Sequence, residues 1–160
     1  VGQGTFYLYF ASKLEIFEEI VDRTFARLGM SIVRVDTEHP NRTVGDQIRD
    51  NIRAIVHALL EDPATTKILL SDAVGLDPAF DRKLISFYEE TGKLLESSLA
   101  DGQERGIVAP GDTRMFALMT LGALKEIMYQ VTMRGLDYPE DRIVDEIYGF
   151  LCRGYLRSAQ

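Results

Sequence analysis

VGQGTFYLYFASKLEIF, Val1 to Phe17, carries two helical signals back to back. Phe6, Tyr7, Tyr9 and Phe10 crowd the first, a short helix over Val1–Phe10. An aromatic helix this short cannot cover itself, so the segment reads as the end of a domain that begins before Val1. Ser12-Lys13-Leu14-Glu15 then forms a capping box, in which Ser12 accepts from the backbone three residues on and Glu15 reaches back. It starts a long helix with Leu14, Phe17, Val21, Phe25 and Leu28 at spacings of three and four. The seam at residues 11–13 is the expected domain boundary.

Working outward, the remaining chain also reads as helix. The first long helix should end before His39-Pro40. Thr43 or Asn41 caps the next, whose buried side holds Ile48, Ile52, Ile55, Val56 and Leu59. Asp62-Pro63 ends that helix and opens a shorter one, and Asp77-Pro78 repeats the device, since proline suits a first helical turn. The helix after Pro78 carries Phe80, Leu84, Phe87, Tyr88, Leu95 and Leu99 and should stop at Gly106. Pro110-Gly111-Asp112 is a turn plus cap, Gly135 ends the following helix near Arg134, and Pro139-Glu140-Asp141 opens the last with acids that suit its dipole. No alternation of period two and no Asn-Gly or Asp-Gly hairpin signal interrupts this, so the fold class is all-α with about seven helices.

Hydrophobic residues make up 46% of the 160 and charged residues 27%, which is the balance of a globular domain rather than a disordered tail. No apolar run approaches the ~20 residues that span a bilayer, and with no signal peptide visible a cytoplasmic location is expected. The single cysteine, Cys152, excludes an internal disulfide. A net charge of −7 argues against nucleic acid as partner of the bulk of the chain, because phosphate binding needs clustered Lys and Arg.

Catalytic and cofactor chemistry find no purchase. Gly2-Gln3-Gly4 lacks the spacing and the preceding strand of a phosphate loop. His39 and His57 have no Cys or His neighbour in sequence to complete a metal set. Cys152 reads as packing, and Glu89-Glu90 and Glu140-Asp141 as solvated helix faces. The expectation is no enzyme, no cofactor and no metal.

Gly4, Thr5, Phe6, Tyr7, Tyr9, Phe10 and Lys13 together resemble the end of the DNA-binding domain of the TetR family of bacterial transcription regulators. That pattern is Gly, a small or polar residue, an apolar residue, Tyr, any residue, Tyr or His, Phe, then a Lys that begins the next helix. The motif covers about a tenth of the chain; the helix order of the rest agrees with it. The resemblance implies a truncated helix-turn-helix end (residues 1–11, the recognition helix) followed by a ligand-binding and dimerisation domain (12–160). Two basic helices would precede Val1, which answers the charge objection. In such a motif Gly2 and Gly4 allow close backbone approach, Gln3 and Thr5 meet bases, and Tyr7, Tyr9 and Lys13 contact phosphates. Phe6 and Phe10 would be core. The family has Ser or a similar residue where Gly2 stands, and a basic or small polar one where Gln3 stands, so the bases read stay open.

Two further expectations rest on the residues themselves. Met115–Leu124 carries no charge, and a helix apolar all round is buried all round. With the stripe of Ile143, Ile147, Phe150, Leu151 and Tyr155, widened by Val144, Tyr148 and Leu156, it offers more apolar surface than one small domain covers. A homodimer through helices 112–134 and 139–157 is expected, burying well over ~1,000 Å². Ile55, Leu59, Phe87, Tyr88, Thr91, Met119 and Tyr129 are expected to line a pocket for a small hydrophobic or amphipathic effector, either a lipophilic cation or an acyl chain. The function read from all this is a ligand-responsive repressor binding operator DNA as a homodimer; the alternative is a helical interaction module without a ligand.

Overall fold

The computed structural model describes residues 13–70 and 78–157. Six helices follow one another among them: α1 (Lys13–Ser31), α2 (Val44–Glu61), α3 (Pro63–Leu70), α4 (Pro78–Glu104), α5 (Thr113–Arg134) and α6 (Glu140–Gly154). The described residues hold no strand beyond an isolated antiparallel bridge between Val108 and Leu156, so the all-α expectation is met. The aromatic helix over 1–10, the Ser12 cap and Asp77 lie outside the described residues.

Local chemistry sets the helix ends. Thr43, not Asn41, caps α2: its hydroxyl accepts from the Asp46 N–H at 3.0 Å while the Asp46 carboxylate accepts from the Thr43 N–H at 3.3 Å. The Thr43 hydroxyl also donates to the Asp46 carboxylate at 2.7 Å, and that bond, with the one from the Thr43 N–H, holds the Asp46 carboxyl below the ordinary carboxylate range. Pro63 has no N–H to offer the Leu59 carbonyl. The Thr66 hydroxyl, 1% exposed, donates to that carbonyl instead at 2.5 Å, and Asp62 accepts from Thr65 N–H at 3.1 Å to cap α3. Asp112 accepts from Met115 N–H at 3.1 Å at the start of α5. Gly135, at φ 71°, ends α5 in the left-handed region that glycine enters without a Cβ penalty.

The broadest helix pairings are α4 with α5 and α2 with α6. The largest core cluster joins Ile52 and Val56 of α2 to Ile143, Val144, Ile147 and Leu151 of α6, with Leu99, Val108, Ala117 and Tyr155 around them. Tyr155 stacks on Phe116 at 4.8 Å and shares a hydrogen bond with the Thr120 hydroxyl at 2.7 Å, which ties the chain end to α5. At the solvent edge of the α2–α6 pair, Arg49–Asp145 (3.2 Å), Arg53–Asp141 (3.4 Å) and His57–Glu140 (3.1 Å) form three rungs. Exposed pairs are screened by water and salt and stabilise little, so the apolar seam and not the rungs holds the helices together.

The charge-free stretch Met115–Leu124 is not buried on every side in the single chain: Ala117 is buried, but Met115, Leu118 and Met119 are about half exposed. Phe150 of the α6 stripe is also half exposed. A helix turns 100° per residue, so Ala117, Leu124 and Met128 share the inner face of α5 while Met115, Met119 and Gly122 fall on the opposite one.

Candidate functional site

Between α1, α3 and α4 lies an aromatic cluster. Phe17 and Val21 of α1, Leu69 of α3, and Leu84 and Phe87 of α4 are its buried members, edged by Phe25, Leu28, Phe80 and Tyr88. The rings meet edge to face: Phe17–Phe80 at 4.5 Å, Phe25–Phe87 at 5.9 Å and Phe87–Tyr88 at 5.3 Å. That arrangement suits ring quadrupoles better than a face-to-face stack. A second cluster, Leu59, Leu70 and Met128 with Ile55 and Tyr129 at its edge, sits deeper between α2, α3 and α5. Leu28 touches both, so the C-terminal half of α1 is the partition between them.

The seven residues expected around a ligand divide accordingly. Phe87 and Tyr88 belong to the aromatic cluster; Ile55, Leu59 and Tyr129 belong to the deeper one. Thr91 lies one turn beyond Phe87, and its hydroxyl donates to the Phe87 carbonyl at 2.8 Å. The Tyr88 hydroxyl donates to the Leu69 carbonyl at 2.9 Å. Met119 does not join them: it points to the outer face of α5, 48% exposed, because it stands 200° around the helix from Ala117.

The opening nearest this set is a slot of about 20 Å³, room for roughly one water, between α1 and α4. Val21, Asp22, Phe25, Lys83, Ser86, Phe87 and Glu90 line it. Lys83 Nζ pairs with Asp22 at 2.6 Å across its mouth, and Ser86 donates to Glu90 at 2.8 Å. Of the expected lining only Phe87 reaches this slot. Val21 and Phe25 were legible as an apolar stripe, but their meeting with Phe87 is a tertiary fact. Asp22, Lys83, Ser86 and Glu90 carry no sequence signal that separates them from any solvated helix residue.

Elsewhere the electrostatics are structural. Hydrogen bonding to Glu140 raises the His57 pKa above its ordinary value. Burial raises Tyr155, opposed by its bond to Thr120. Among the described residues no group of three or more His, Cys, Asp and Glu is placed to hold a metal ion, and no helix is long and apolar enough to cross a membrane. Lys13 is exposed at the first residue of α1. Gly2, Gln3, Thr5, Tyr7 and Tyr9 lie outside the described residues.

The outer face of α5 is the other feature with functional reach. Met115, Leu118, Met119 and Met133 are exposed along it, and nothing stands within 4 Å of the space above Gly122. Phe150 of α6 is exposed as well. Toward the α5–α6 connection this face opens into a groove of about 280 Å³, with Ile127, Leu136, Tyr138 and Ile143 as its apolar wall and Glu126, Arg142 and Glu146 at its rim.

Comparison with known proteins reaches the same architecture. Solved structures share the fold at low identity. A putative TetR-family transcriptional regulator from Syntrophomonas wolfei matches at TM-score 0.75 and 17% identity, over 94% of this chain and 76% of that one. The fatty acid degradation regulator FadR from Bacillus halodurans matches at TM-score 0.73 and 22% identity, over 98% and 83%. A bacterial regulatory protein in the tetR family from Rhodococcus RHA1 matches at TM-score 0.68 and 16% identity, over 96% and 79%. No curated protein matches the sequence. Residues 41–154, most of the chain, fit the family model of the tetracyclin repressor-like C-terminal domain. The capped helices, the α2–α6 core and that match agree, and the chain belongs to the TetR family of transcriptional regulators.

Proposed function

We propose that this chain is the regulatory part of a homodimeric, ligand-responsive repressor. Residues 1–11 end its DNA-binding domain and 12–160 form its ligand-binding and dimerisation domain. The observation that carries the reading is the aromatic cluster between α1 and α4. α1 is the helix that continues from the DNA-reading segment, and its inner face is built of rings rather than of the interlocked aliphatic side chains that join α2 to α6. An edge-to-face ring pair adds only about 0.5–1.5 kcal/mol beyond its buried area, and a hydrophobic guest gains affinity by burying area among such rings.

On this reading an apolar or amphipathic effector enters at the slot beside Phe87 and shifts α1. Phe87, Tyr88, Thr91, Ile55, Leu59 and Tyr129 surround its path, and Met119 belongs with the dimer face instead. To carry a 1:99 equilibrium to 99:1 the effector must favour one state by about 5.5 kcal/mol. The dimer forms through the outer faces of α5 and α6, where Met115, Leu118, Met119 and Phe150 leave water. Gly2, Gln3, Thr5, Tyr7, Tyr9 and Lys13 face the operator.

The test uses the regulator with its complete DNA-binding domain. It should shift a palindromic duplex as a dimer, with half-sites about 34–36 Å apart or a somewhat adjusted spacing. Lys13→Ala should weaken binding to every duplex and lower the salt slope by about one. Fatty acyl compounds, which a regulator of fatty acid degradation among the structural neighbours puts first, and lipophilic cations should be screened for release of the duplex. A protein that binds no duplex, or a Phe87→Ala variant with the parental effector response, contradicts this reading.

A further inference from the structure

Segment 32–36 leaves the end of α1 and runs alongside α2 with no strand beside it. Two side-chain amides stand in for the missing strand. Asn51 accepts from the Val33 N–H at 2.9 Å and donates to the Val33 carbonyl at 2.7 Å. Gln47, one turn earlier on α2, accepts from the Asp36 N–H at 2.8 Å and donates to the Asp36 carbonyl at 2.8 Å. A carboxamide carries a donor and an acceptor side by side, as a peptide unit does, so each satisfies both backbone groups of one residue. Residues four apart on a helix share a flank, which is why the pair can grip two points of one strap. From the other side, beyond α4, Arg105 donates to the Val35 carbonyl at 2.8 Å, and Arg34 pairs with Asp101 at 3.3 Å. Four consecutive residues, 33 to 36, are thus fastened to α2 and to the end of α4.

The two ends of α1 share apolar packing and differ in the bonds added to it. Its first half rests in the aromatic cluster through Phe17 and Val21, and packing of that kind is non-directional. Its last half packs too, through Phe25 and Leu28, and adds directional bonds: Arg27 donates to the Ala58 carbonyl at 2.8 Å, and the strap follows immediately. A helix packed along its length, with bonds of defined angle added beyond its middle and past its last residue, turns most easily about that last end.

We infer that Asn51 and Gln47 make segment 33–36 the pivot of α1, and so set how far the DNA-reading end of the chain travels; this rests on the regulator reading above. α1 has 19 residues, about 28 Å at 1.5 Å per residue, so a tilt of about 5° at Ser31 moves Lys13 by about 2.5 Å. Displacements of that size at two recognition elements alter the spacing that a palindrome must match. The carboxamides are positioning residues: they touch neither effector nor DNA, and act by keeping the pivot still.

The experiment uses the regulator with its complete DNA-binding domain and the double variant Asn51→Asp, Gln47→Glu. Each carboxylate keeps the acceptor for the backbone N–H but loses the donor and faces a carbonyl. Amide hydrogen exchange should show Val33 and Asp36 losing protection. Affinity for the best palindromic duplex should drop by at least about fivefold, the lower end of typical coupling between sites. The preference among duplexes differing by one base pair in half-site spacing should shrink. Asp112→Ala, which removes the carboxylate that caps the Met115 N–H and leaves the bonds to residues 33–36 in place, serves as the control for lost stability and should keep that preference. Unchanged exchange at Val33 and Asp36 overturns the clamp. Released amides with an intact spacing preference overturn the pivot. A parental protein that binds no duplex overturns the regulator reading, and the pivot's role with it, whatever exchange reports.

Discussion

Thr66 and His57 show how differently two polar residues bear on the same helix. The Thr66 hydroxyl is buried and satisfies the carbonyl that Pro63 leaves without a partner. Thr66→Val keeps the shape and removes the donor, so it should cost about 1–3 kcal/mol, the penalty of a buried unsatisfied carbonyl. Denaturant unfolding measures this, and Thr66→Ser should restore most of it. His57 is solvent-facing, and its bond to Glu140 raises its pKa from 6.5. A raised folded pKa means that the protonated form is the stabilised one. The contribution is therefore fully present below pH ~6.5 and is lost as pH rises through the folded value. His57→Gln should flatten that dependence of the unfolding midpoint, and an NMR titration of the imidazole should report a pKa above 6.5. A midpoint profile identical in both proteins contradicts the assignment.

The helices differ in what holds their ends. α2 begins with a complete capping box at Thr43 and Asp46, and α5 with the Asp112 carboxylate on the Met115 N–H. α6 begins at Pro139 with no side-chain cap, and Glu140 and Asp141 in its first turn complement its dipole instead. Asp112→Ala should therefore cost about 1 kcal/mol of stability, typical of a lost N-cap. Asp112→Ser should recover most of it in the same unfolding titration. Equal stability of the alanine variant and the parent shows that the turn at Pro110-Gly111, and not the carboxylate, starts α5. These caps were legible because they depend on neighbours within four residues. The strap at 32–36 was not, because Asn51 and Gln47 carry no mark in sequence that separates a backbone clamp from a solvated amide. Nor was the lining of the slot by Asp22 and Lys83, which meet only because α1 lies against α4.

For the whole molecule the decisive surface is the outer face of α5 and the neighbouring edge of α6. On the proposed pairing Leu118, 54% exposed in the single chain, becomes central to the contact between copies. Leu118→Glu should leave helix content unchanged, since the side chain bears little of the chain's own core, and should make the protein a monomer at micromolar concentration by sedimentation. A variant that sediments as the parent does would place the contact elsewhere. The same pairing would also cover Phe150, half exposed in the single chain.

The sequence by itself determined the all-α class, the helix order and most helix ends, because caps, prolines and glycines act over one turn of backbone. It also carried the family resemblance, in a motif at Gly4–Lys13, and the amount of apolar surface on α5. Which face of α5 turns inward was decided only by tertiary structure. A helix with no charge from Met115 to Leu124 has no polar side to set its phase. Packing against α4 and α3 chose Ala117, Leu124 and Met128 for the interior and sent Met119 out. The same physics split the expected ligand lining between two clusters, since residues far apart in sequence meet only where helices cross.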